Sequence, residues 1–95
     1  MEPRVRGILE KEIEEATDSE NIKMLFARAT EITTKNAEDV LFGMVVGFIF
    51  GRWAGFLLPK IVMGAQVEKE IQEFWDMIEK RAMYIRGKIK VALGE

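Results

Sequence analysis

The chain has 95 residues, with 14 Lys and Arg against 16 Asp and Glu and a formal net charge of −2. That length makes one domain at most, with a modest core that oligomerisation commonly supplements. The charge balance gives no global support for nucleic-acid binding. With neither cysteine nor histidine, disulfides, thiolate metal sites, a Cys nucleophile and every His-dependent triad or zinc motif are excluded.

Met1 to Glu15 is charged, and no apolar core follows a basic start, so nothing there reads as a signal peptide. A first helix is predicted from about Pro3 to Ala16. Pro3 suits an opening position, and Val5, Ile8, Leu9, Ile13 and Ala16 fall near one face. Thr17, Asp18 or Ser19 can cap a second helix, and Thr17 with Glu20 fits a capping box. That helix carries Ile22, Leu25, Phe26, Ala29 and Ile32 on one stripe.

Asn36 can cap a third helix, with Glu38 and Asp39 in a first turn where acids suit the dipole. From Val40 to Leu58 the chain is apolar except for Arg52, and Pro59 marks a break. A fourth helix is expected from about Ile61 to Leu93. Its stripe of Val67, Ile71, Phe74, Trp75, Ile78, Ala82, Ile85, Ile89 and Ala92 is close to a heptad seam. The pattern predicts an all-α fold of about four helices, with a central glycine-spaced helix and a long C-terminal amphipathic one.

Gly43, Gly47, Gly51 and Gly55 recur every four residues in the apolar helix, with Ala54 among them. Four residues advance about 400°, so the row drifts only about 40° per step. Each glycine costs roughly 1 kcal/mol in an exposed helix interior. Four in register point to close approach by another helix, as in small-xxx-small pairs, and hence to a homo-oligomer. Leu41, Phe42, Val45, Phe48, Ile49, Trp53 and Phe56 fill the other side.

Val40 to Leu58 spans about 28 Å at 1.5 Å per residue, near the thickness of a hydrocarbon core. The first expectation is therefore a membrane protein in contact with lipid, and the alternative is a soluble, cytoplasmic oligomeric bundle. Arg52 weighs against simple insertion and is a candidate intramembrane or buried charge that needs an acid, a pore or water. Lys23, Arg28 and Lys35 before the span nearly balance Lys60 and Lys69 after it, which leaves orientation open.

Asn36, Asp39, Gly43, Gly47, Phe50, Gly51 and Arg52, continued more loosely by Leu57, Ile61 and Met63, resemble the first transmembrane segment of the large-conductance mechanosensitive channel family. The resemblance covers residues 36–63. It implies a pore-lining helix with Gly43 and Gly47 at the constriction and helix crossing. Where that family has a second transmembrane helix, this chain has the amphipathic Ile61–Leu93 stretch.

Glu10, Glu12, Glu14, Glu15, Asp18 and Glu20 form the densest charge group. Glu14, Glu15 and Asp18, followed by Asn36 and Asp39, resemble the paired acidic motifs of the MazG-type all-α NTP pyrophosphatases. By that resemblance Glu14, Glu15, Asp18 and Asp39 would hold Mg²⁺, which takes hard oxygen ligands. Asp18 and Asn36 stand where the family has Glu. The other expectation for this group is a solvated acidic face, and the leading expectation for the chain is no catalysis.

Lys80, Arg81, Arg86, Lys88 and Lys90 against Glu79 give residues 78–92 a local charge of +4, with Trp75, Met83 and Tyr84 nearby. Such a helix end can complement its own dipole and the acidic first helix, or lie on an anionic membrane. Antiparallel packing of the first and fourth helices between subunits would also satisfy these charges.

Overall fold

The computed structural model describes residue 1 and residues 3–32, 36–57 and 64–94. They form four helices: α1 (Pro3–Ala16), α2 (Ser19–Ile32), α3 (Ala37–Leu57) and α4 (Gly64–Ala92). There is no strand among the described residues. The bundle measures 41 × 23 × 19 Å. The expected break at Pro59, and Leu58 and Ile61–Met63 at the ends of the predicted helices, lie outside the described residues.

The α1–α2 corner is held by side chains rather than by the expected capping box. Thr17 is buried, and its hydroxyl donates back to the Ile13 carbonyl at 2.7 Å. A buried hydroxyl needs a partner, and Thr17 finds it in the Ile13 carbonyl, which also accepts the Thr17 N–H at 3.0 Å. Asp18 caps α2 instead, with its carboxylate accepting from the Glu20 N–H at 3.2 Å. Asn21 donates from its side chain to the Ala16 carbonyl at 2.7 Å and closes the corner.

Asn36 opens α3, where its carbonyl accepts the Val40 N–H at 3.0 Å. Its φ is +56°, a left-handed conformation that asparagine tolerates better than branched residues. α3 and α4 then pack antiparallel. Asp39 and Phe42 face Arg86, and Phe50 and Trp53 face Phe74. α1 runs beside α4 in the same direction, with the Met1 ammonium on Glu73 and Glu10 on Arg81. Within one protomer the acidic first helix and the basic fourth helix thus meet through ion pairs, running in the same direction.

The core draws on all four helices, and Leu9, Ile13, Ile22, Leu41, Val45, Ile49, Trp53, Phe74 and Ile85 are fully enclosed. Burying aliphatic side chains such as Leu41, Val45 and Ile49 contributes about 1.5–3 kcal/mol each. Four residues depart from their expected faces, one of them Phe56, which is exposed near the end of α3. Ile32, at the end of α2, is 73% exposed because it lies beyond the packed turns. Trp75 is half exposed: it lies about 100° round the helix from the inward Phe74 and stacks against Phe50 at the edge. Ala54 is buried instead of lying among the glycines. Ala54 follows the enclosed Trp53 by one position, as the buried Val46 follows Val45, so it lies on the flank of the inner row, about 100° from Gly55.

Candidate functional site

α3 carries two rows of side chains, each with a four-residue step. Leu41, Val45, Ile49 and Trp53 form the inner row, every one at 0% exposure. Gly43, Gly47, Gly51 and Gly55 form the outer row and are all exposed. The rows are offset by two residues, about 200° on a helix, so they drift together and stay on opposite sides. A Cβ added at any of the four glycines would meet nothing within 4 Å outside its own helix. The backbone along this row therefore faces open space in the protomer.

The flanks of the glycine row are occupied. On one side lies α4, where the Arg86 guanidinium sits 4.1 Å over the Phe42 ring and 3.3 Å from Asp39. On the other lies α1, reached by Arg52. Its Nε donates to Glu12 at 2.6 Å and an Nη to Glu15 at 3.4 Å, and its guanidinium lies 5.5 Å from the Phe48 ring. Arg52 is not buried within the protomer, since its side chain is 52% exposed. Ion pairs this open to water contribute at most about 1 kcal/mol, so Arg52 ties α3 to α1 more by geometry than by energy.

At its far end α3 joins an aromatic cluster. Trp53 stacks on Phe74 at 4.9 Å, and Phe50 lies edge-on to Phe74 and stacked on Trp75. Trp53 Nε1 is buried with no acceptor among the described residues. An unmade bond of this kind costs about 1–3 kcal/mol, set here against the area an indole buries.

The four acids that resemble a metal set are not brought together. Glu15 faces Arg52 and Lys11. Asp18 is spent on the α2 cap. Asp39 pairs with Arg86 on α4. Glu14 and Asp18 border a depression with Lys88, whereas Asp39 and Asn36 line a different one with Phe26 and Leu93. Among the described residues no three acidic side chains converge as metal ligands.

One helix among the described residues is long and apolar enough to cross a membrane, with a candidate span at Ala37–Phe56 of mean hydropathy 1.4. Only 33% of its apolar window is buried in the protomer. Glu12 and Glu15 on α1 lie against this helix through their ion pairs with Arg52, and Asp39 stands within the span itself, paired with Arg86 on α4. The fold and site together define a small all-helical bundle whose central apolar helix is covered on one face and bare on the other. No family model matches the chain, and comparisons with curated proteins and with solved structures likewise find no match.

Proposed function

We propose that this chain is a non-catalytic, self-assembling helical protein in which the glycine row of α3 is the contact between copies. One observation carries the reading: four glycines in register are exposed, each with open space where a Cβ would stand, on a helix whose opposite row is fully enclosed. Each exposed glycine weakens the helix by roughly 1 kcal/mol relative to Ala. Close backbone approach by a second α3 offsets that cost through van der Waals packing. Rows with a four-residue step favour crossing angles of about −40° to −50°.

A second reading, α3 as a transmembrane helix lining or scaffolding an assembly, draws on its length and hydropathy. It requires another arrangement of the other helices. With α1 held on α3, Glu12 and Glu15 would enter hydrocarbon at a cost of several kcal/mol. We therefore assign α3 to an interface between copies outside the bilayer core.

The experiment is sedimentation or light scattering of the wild type and of Gly47→Leu/Gly51→Leu, with helicity followed by circular dichroism. The expected result is an oligomeric wild type and a dissociated variant of unchanged helicity. A monomeric wild type, or an oligomer that survives both leucines, overturns the assignment. Membrane pellets washed in alkaline carbonate separate the readings: release is expected here, and retention favours the spanning helix.

A further inference from the structure

The C-terminal half of α4 has charge that its own bundle does not use. Residues 80–94 contain five cations and no acid. Arg81 is matched by Glu10, and Arg86 by Asp39. Lys80, Lys88 and Lys90 form no ion pair with an acid among the described residues, and Lys88 lies 5.6 Å from the Tyr84 ring.

Lys80, Met83, Gly87, Lys90 and Val91 follow one another at three-, four- and one-residue steps and so share one strip of the helix. The strip points away from the core, which α4 meets through Phe74, Ile78, Ile85 and Ile89. Met83 is 88% exposed and Val91 75%, with Lys80, Gly87 and Lys90 exposed around them. An outward helix face that alternates bare apolar side chains with unmatched lysines is complementary to an anionic bilayer surface. There the apolar ends enter the headgroup region while the ammonium groups meet phosphates. Bases find little to stack on: Tyr84 is the only aromatic residue in 80–94, and its ring already faces Arg81 and Lys88.

We infer that this strip docks the folded bundle on anionic lipid, lying on the membrane rather than crossing it. This attachment uses α4 and is independent of the α3 contact between copies. Electrostatic attachment of this kind falls with salt, and each lysine near the surface is worth roughly a fivefold change in partition.

The test is co-sedimentation of the full chain with vesicles of phosphatidylcholine alone or with 30% phosphatidylserine, a composition chosen as the probe. Wild-type protein is expected to bind the serine-containing vesicles at least tenfold more than the neutral ones at low salt, and to be released at high salt. Lys80→Glu/Lys90→Glu and Met83→Asp are expected to lose at least tenfold in binding, with helicity and oligomeric state kept because these positions are exposed. Equal binding to both vesicles, retention at high salt, or insensitivity to these exchanges would trace attachment to α3 and overturn the inference. Absence of vesicle binding, with or without binding to single-stranded or duplex nucleic acid, overturns it as well.

Discussion

The Arg86 guanidinium lies 4.1 Å from the centre of the Phe42 ring, joining α4 to α3 one turn above the start of the apolar helix. Asp39, one turn earlier on α3, takes the same guanidinium at 3.3 Å. Arginine thus replaces water on one aromatic face while its charge stays partly hydrated, at 48% exposure. Arg86→Ala is expected to lower unfolding stability by about 1 kcal/mol, the scale of a half-exposed cation–π contact. A double-mutant cycle in urea with Phe42→Leu should give a coupling of about 0.5–1 kcal/mol; additivity would show that the two residues act separately.

Arg52 has a different balance. Two acids on α1 share its charge, but the group is half exposed. Arg52→Leu is expected to cost no more than about 1 kcal/mol, with the difference from wild type shrinking as salt rises. Urea midpoints at low and high salt measure this. A loss of several kcal/mol would mean that Glu12, at 14% exposure, becomes a buried charge without a partner.

Asn36 is the one described non-glycine residue with positive φ. Asn36→Val is expected to destabilise by about 1–2 kcal/mol, because a branched side chain meets the following carbonyl in the left-handed region. Asn36→Gly should leave the thermal midpoint nearly unchanged. Equal loss in both variants would assign the effect to the side chain rather than to the backbone.

Gly7 lies exposed inside α1, with nothing within 4 Å of where a Cβ would stand. Gly7→Ala is expected to stabilise the chain by up to about 1 kcal/mol and to leave its oligomeric state unaltered. Comparison with Gly47→Ala, made at equal protein concentration, separates the intrinsic helix gain from any change at the α3 contact.

The two tryptophans give a readout of the fold itself. Trp53 is fully enclosed and Trp75 is 46% exposed. In Trp53→Phe and Trp75→Phe variants, acrylamide is expected to quench Trp75 readily and Trp53 hardly at all. Similar quenching of both would contradict the packing of α3 against α4.

Pattern on the scale of one helix was readable from sequence. The limits of α1, the start of α3 just after Asn36 and the placing of Leu41, Val45, Ile49 and Trp53 opposite the glycines all follow from local spacing. Phe42, Phe48 and Phe56, read on that same side, are not fully enclosed. Contacts between helices were not readable. The sequence demanded an acid or water for Arg52, but six acids between residues 10 and 20 could each have answered. Only the placing of α1 beside α3 selects Glu12 and Glu15. Thr17 shows the same limit at short range. Its spacing to Glu20 matched a cap, yet the buried hydroxyl donates back to the Ile13 carbonyl instead.

The two-residue offset between the rows of α3 makes the helix behave as a rotary selector. Substituting a position in one row leaves the other untouched, so packing within the protomer and the character of its outer surface can change separately. An insertion has no such freedom. Two extra residues placed between Leu41 and Gly43 would turn the rest of the helix by about 200°. Gly47 and Gly51 would then face the core, and Ile49 and Trp53 would face outward. Length variation in this helix is therefore far more disruptive than substitution along its bare side.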